Sequence, residues 1–187
     1  MFRHPHPIAL AAFVLSTGAA FATAVPAPPA GGKLAEVAAA KPAPAALERF
    51  KALAGDWVAA EDGEMFKKGD VISHYAVTAA GSAVVETIFP GSPHEMVTVY
   101  HADGPDVVLT HYCMEGNQPH MRAKGASGSR FDFVFDGGTN IDPKRDRHMN
   151  SASLEFLGAD EIRTVWTELA DGKPVFVAKS HLVRKPR

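Results

Sequence analysis

The stretch EMVTVYHADGPDVVLTHYCM, residues 95–114, is typical of a β-hairpin. Two runs rich in β-branched and aromatic residues flank a turn at residues 103–105, where Gly and Pro favour a tight reversal of the chain. Pairing that runs outward from this turn places His111 opposite Thr98 or close to it. The hairpin therefore predicts antiparallel neighbours at this point of the chain.

Similar runs recur from Trp57 to the C-terminus, each bounded by Gly, Pro, Asp or Asn. The ten runs are WVAAE, DVISHYAVT, AVVETIF, EMVTVYH, DVVLTHYCM, HMRAKG, RFDFVFD, HMNSASLEFL, EIRTVWTEL and PVFVAKSHLVR. Their short links favour antiparallel pairing throughout. Because an open sheet of this size would leave exposed edges, we predict an all-β fold, a closed ten-stranded antiparallel up-and-down barrel. The stretch AALERFKALAGDW places Leu47, Phe50, Leu53 and Ala54 on one face of a short helix before the first strand.

The N-terminal region precedes this domain. Residues 1–24 join a short basic segment, an apolar segment and small residues suited to cleavage, which predicts a signal peptide and a secreted or periplasmic protein without stable membrane insertion once the peptide is removed. Residues 25–45 are rich in alanine and proline, which predicts a disordered tether. The barrel domain is then expected over residues 46–187.

Charge and composition exclude several function classes. The formal net charge is −2 and the basic residues are scattered, so we expect no nucleic-acid partner. Cys113 is the single cysteine of the chain, which excludes an intramolecular disulfide and favours a small buried side chain. The sequence contains no G-x-S-x-G, P-loop or dinucleotide-binding motif.

Several motifs carry a family resemblance. The helix running into LAGDW, with Gly55 and Trp57 at the first strand, resembles the calycin superfamily, in which such a pair plugs one end of the barrel. The segments VVETIFPG, EMVTVYH, THYCMEGNQPHM and FDGGTNIDPKRDRHM resemble a secreted bacterial family of unknown function, related to lipocalin-like domains and distantly to nitrobindin-like barrels. The resemblance implies a barrel and leaves the ligand undefined.

The segment HYCMEGNQPHM, residues 111–121, is the most polar candidate for a site. Pairing of the hairpin brings His111 and Glu95 within a residue or two, either as an acid–base pair or as a structural pair at the rim. Asn117 and Gln118 either belong to a turn or contact a ligand. Residues 107, 109, 111 and 113 share one strand face, but the opposite face is equally apolar, so the pattern leaves open which face lines the lumen.

A metal site and haem binding remain open as alternatives. His111 and Cys113 with Asp142 or His148 offer metal ligands but no recognised spacing. Nitrobindin-like barrels hold haem through a histidine on the last strand, and His181 occupies such a strand here. The same residue, beside Lys179, equally suits an outward solvated face.

The favoured function is binding of a small apolar or amphipathic ligand in the lumen. The alternatives are a haem-binding nitrobindin-like protein, an enzyme using His111 or His101 with Glu95, and an interaction module. The inward-facing aromatic strand RFDFVFD contributes lumen side chains. The residues expected to contact the ligand are Glu95, Tyr100, His111, Cys113, Asn117, Gln118, Phe131, Phe133, Phe135 and Trp166.

Overall fold

The structure, a computed structural model, describes residues 45–124 and 128–186. The expected signal peptide and the expected tether up to residue 44 lie outside these ranges. Ala45, the last residue of that tether, begins a helix, α1 (Ala45–Lys51). The strands that follow are β1 (Gly55–Ala59), β2 (Val71–Thr78), β3 (Ala83–Ile88), β4 (Met96–Asp103), β5 (Asp106–Tyr112), β6 (Gln118–Ala123), β7 (Arg130–Thr139), β8 (His148–Phe156), β9 (Glu161–Ala170) and β10 (Lys173–Arg184).

These ten strands form a closed barrel. Each strand pairs antiparallel with its neighbour in sequence, and β1 also pairs with β10. The predicted all-β barrel is confirmed, and so is the predicted hairpin register, because Thr98 pairs with His111. Closure satisfies the hydrogen-bonding groups that an open sheet would expose at its edges.

The burial pattern settles which strand face lines the lumen. On β5, Val107, Leu109 and His111 are buried while Tyr112 is half exposed. Phe131 and Phe133 on β7 are likewise buried, as the alternation of that strand predicts. The hydrophobic core therefore lies inside the barrel.

Helix α1 closes one end of the barrel, which we call the closed end. The ring centroid of its Phe50 lies 4.8 Å from that of Tyr100 and 4.9 Å from that of Phe131. Leu47, Phe50 and Leu53 are buried as expected, whereas Ala54 is exposed because the helix ends before it.

Trp57 completes this closure, as the family resemblance implies. Its indole Nε1 donates to the Leu53 carbonyl at 2.8 Å. The Arg184 guanidinium lies 4.6 Å from the indole ring and donates to the carbonyls of Ala52 and Ala54 at 2.8 Å each. These contacts tie the last strand to the segment that links α1 to β1.

A polar row crosses the interior between the two ends. Tyr75, Glu86, Thr98 and His111 are successive partners across β2, β3, β4 and β5. Glu86 accepts hydrogen bonds from Ser73 at 2.7 Å, Tyr75 at 2.8 Å and Tyr100 at 2.7 Å. Burial raises the pKa of this carboxyl above its ordinary value, although the three donors act in the opposite direction.

Candidate functional site

A cavity of about 290 Å³ occupies the end of the barrel away from α1, which we call the open end. Residues at the ends of several strands and in the links between them form its wall. Side chains and backbone from the following residues line the cavity: Glu64, Met65, Phe66, Ile88, Phe89, Met96, His111, Cys113, Met114, Glu115, Arg147, Met149, Thr164, Trp166, Glu168, Phe176, Ala178, Lys179 and Ser180.

The lining is mainly apolar and unusually rich in methionine. Met65, Met96, Met114 and Met149 all contribute, which is four of the six methionines of the chain. Methionine side chains are unbranched and polarizable, so they adapt to irregular apolar shapes. This composition favours an apolar guest of variable outline.

His111 is a deeply buried polar group in the wall of this cavity. Its Nδ1 lies 2.9 Å from the Thr98 hydroxyl, and its ring lies 4.9 Å from that of Trp166, which reaches across from β9. Burial lowers the pKa of His111 to about 4, so the ring is neutral at pH 7. Its Nε2 is buried and has no hydrogen-bond partner among the residues described.

Charged side chains stand at the rim of the cavity. Arg147 donates to both carboxylate oxygens of Glu168, at 3.2 and 2.5 Å, and lies 3.8 Å from Glu115. The Glu168 side chain is only 5% exposed, so this bidentate pair is its means of tolerating burial. Nε and Nη2 of Arg147 both donate to Glu168 in this ion pair.

The structure brings three of the expected ligand contacts together and separates the others. His111, Cys113 and Trp166 line the cavity. Phe131, Phe133 and Tyr100 instead pack around Phe50 at the closed end. Phe135 is partly buried and stacks on His148, with ring centroids 5.0 Å apart. The aromatic strand therefore serves the core, because α1 fills the lumen beside it.

The expected pair of His111 and Glu95 is not formed. Glu95 is exposed, and its Oε2 accepts a hydrogen bond from the Gly91 amide at 2.6 Å. The side chain lies before the start of β4, where the link turns back on itself. His101 is exposed on the outer face. Within the described residues, Glu95 therefore makes no hydrogen bond to His111 or His101 that would support acid–base catalysis.

The polar link between β5 and β6 has a structural role. Gly116 adopts a φ of 77°, and its amide donates to the Cys113 carbonyl at 3.0 Å. Asn117 is buried and donates from Nδ2 to the Arg147 carbonyl at 2.7 Å. Gln118 accepts from the Thr139 hydroxyl at 2.6 Å. These contacts hold the link against neighbouring strands and leave neither amide among the cavity-lining residues.

The cofactor alternatives do not fit the geometry. His181 lies on the outer face of β10, where Nε2 is 2.7 Å from the Glu161 carboxylate, so it offers no axial ligand to haem in the lumen. Across residues 45–124 and 128–186, no cluster of three or more His, Cys, Asp or Glu side chains suits a metal ion. Burial raises the pKa of the Cys113 thiol, which keeps it protonated.

Sequence reasoning missed most of the cavity wall. Thr164 and Glu168 flank Trp166 at intervals of two residues, and Phe176, Ala178 and Ser180 follow the same alternation on β10. Because side chains two residues apart share a strand face, Trp166 on its own predicts Thr164 and Glu168 as further lining residues. Met65 and Phe89 lie in links between strands, where side chains do not alternate regularly, so the sequence pattern does not predict them as lining residues.

Comparison with family models and with curated proteins gives no match for this chain. None of the helices in the described ranges is both long and apolar enough to cross a bilayer. The geometry of the open end therefore has to carry the functional argument.

Proposed function

We propose that this protein binds a small apolar or amphipathic molecule in the cavity at the open end of its barrel. The observation that carries the proposal is a largely apolar cavity of about 290 Å³ with a neutral, buried histidine whose Nε2 lacks a protein partner. Binding sites combine apolar walls with a few polar groups that fix orientation, and they begin at about 300 Å³. The size of this cavity favours a small ligand.

We further propose a calycin-like, secreted or periplasmic binding protein. The closed ten-stranded barrel, the helix at one end and the buried Trp57 support the calycin-like assignment. The pattern of residues 1–24 supports secretion.

The test is native mass spectrometry of the protein purified from its own host. We expect an added mass that corresponds to a small molecule. Ala178 lines the cavity, so Ala178→Phe fills it and should abolish that mass, whereas the matched control Ala178→Ser should retain it. Equal retention by Ala178→Phe, with an unchanged thermal transition, would place the ligand elsewhere and contradict the proposal.

A further inference from the structure

The hydrogen bonds at His111 define its tautomer. Thr98 is fully buried, and in the described parts of the chain its hydroxyl has a single side-chain partner, His111 Nδ1 at 2.9 Å. With Nδ1 as acceptor, only Nε2–H is left unpaired, whereas with Nδ1 as donor both the threonine proton and the Nε2 lone pair would lack a partner among the described residues. We therefore assign the hydroxyl as donor and Nδ1 as acceptor.

This assignment leaves the proton of the neutral ring on Nε2. The ring stays neutral at pH 7 because burial lowers the pKa of His111 to about 4. Nε2–H is then a buried donor with no acceptor among the described residues. An unpaired buried donor is costly, so a ligand that supplies an acceptor gains affinity by pairing it.

The charges around the cavity select against an anion as that acceptor. Glu64, Glu115 and Glu168 face two basic residues, Arg147 and Lys179. Arg147 is already bonded to Glu168 and lies near Glu115. A carboxylate ligand would therefore enter a rim with an excess of negative charge, where Nε and Nη2 of Arg147 are already bound to Glu168.

We propose, on the basis of the proposed function, that the ligand is a neutral cyclic molecule whose carbonyl oxygen accepts a hydrogen bond from His111 Nε2–H. Its ring lies beside Trp166, and its apolar body contacts Met96 and Met149. Both methionines line the cavity together with His111, and methionine side chains adapt readily to the shape of a guest.

A matched set of probes tests this assignment. 1-Tetralone, tetralin and 1,2,3,4-tetrahydronaphthalene-1-carboxylate share one ring frame and differ in the polar group. By calorimetric titration we expect the ketone to bind about 3- to 10-fold more tightly than the hydrocarbon, as one net hydrogen bond allows, and more tightly than the carboxylate. In His111→Phe the preference for ketone over hydrocarbon should fall to about 1-fold.

The outcomes separate this inference from the proposed function. Equal binding of tetralin and tetralone, or tighter binding of the carboxylate, would overturn the carbonyl assignment and leave a binding protein. Failure of all three probes to bind would overturn the carbonyl assignment, while the mass retained in native mass spectrometry decides the proposed function separately.

A second measurement uses the wild-type protein and does not depend on the folding of His111→Phe. In ¹⁵N NMR spectra of the imidazoles, we expect His111 to show a protonated Nε2 and an unprotonated Nδ1. The isosteric Thr98→Val change removes the donor to Nδ1 and should redistribute the tautomers. Thr98 is thus a positioning residue. A proton found on Nδ1 in the wild type would overturn the inference.

Discussion

The closed and open ends of this barrel treat buried polar atoms differently. At the closed end, Trp57 donates to the Leu53 carbonyl, and in the polar row Glu86 accepts from three hydroxyls. At the open end, buried polar atoms of His111, Asn117 and His148 have no partner in the described part of the protein. Satisfied polar groups stabilise a fold, while unsatisfied ones mark a place where a ligand or solvent completes the bonding. This difference assigns a stabilising role to the closed end and supports the proposal that the open end binds a ligand.

Packing follows the same division. Phe50 contacts four aromatic rings at the closed end, at centroid distances between 4.8 and 6.1 Å. The open end keeps a cavity instead, and four methionines share its wall with aromatic side chains such as Phe66 and Trp166. The adaptable wall suits a guest, whereas the interlocked rings fix a single arrangement.

The largest expected effect comes from truncating the closed end. Phe50→Ala should lower the free energy of unfolding by about 3–5 kcal/mol, because it removes a fully buried ring and leaves a void. Phe176→Ala, at the partly exposed wall of the cavity, is the matched control and should cost less than about 1.5 kcal/mol. Urea denaturation measures both. Equal losses would contradict the division of roles.

The second effect concerns acid stability and His111. Its pKa is about 4 in the folded chain and 6.5 ordinarily, so between these values the unfolded chain binds more protons. Stability therefore rises with pH across this window and is lost as pH falls. Between pH 7 and pH 4 the wild type should lose about 2–3 kcal/mol more than His111→Phe. Parallel pH profiles of the two proteins in urea denaturation would contradict the buried, neutral ring.

Glu86 should respond in the opposite direction. Its pKa is raised in the folded chain, so its contribution to stability falls as pH rises from about the ordinary value of 4.5. Tyr100→Phe removes one donor to the carboxylate and should cost about 1–2 kcal/mol at pH 7 and less at pH 4, where the protonated form needs that donor less. Denaturation at both pH values checks this. A cost that does not change with pH would indicate that Glu86 stays in one protonation state.

The smallest effect tests the rim of the open end. A Cβ on Gly63 would lie 2.3 Å from the Phe66 ring, which lines the cavity, so Gly63→Ala must displace that ring. Gly158→Ala is the control, because nothing lies within 4 Å of its Cβ. We expect a change of about 2- to 5-fold in the affinity for 1-tetralone in the first variant, as a modest loss of apolar contact allows, and none in the second. Calorimetric titration that shows identical affinities would mean that Phe66 does not contact the ligand.

Much of the fold could be predicted from the sequence because short-range patterns of residues specify it. The ten strands, their antiparallel order and the pairing of Thr98 with His111 follow from alternation and turn residues. The inward direction of Phe131 and Phe133 follows from the same alternation. Leu47, Phe50 and Leu53 likewise follow from the helical period.

The candidate site was predicted only in part, because it depends on distances across the lumen. His111 meets Trp166 from strands that are far apart in sequence. The position of Glu95 beside the β4–β5 pairing predicts a contact with His111, but the link before β4 directs its carboxylate to the Gly91 amide. Phe133 was assigned to the cavity from its inward face, yet α1 fills that part of the lumen with Phe50. Strand period gives the face of a side chain and not its depth along the barrel.

The most direct test of the two-ended account uses the two tryptophans of the chain. Trp57 is buried at the closed end, and Trp166 lines the cavity at the open end. In a titration with 1-tetralone followed by ¹⁵N–¹H NMR, the account predicts that the indole N–H resonance of Trp166 shifts and saturates while that of Trp57 stays in place. Movement of Trp57 with Trp166 fixed, or of neither resonance, would contradict it.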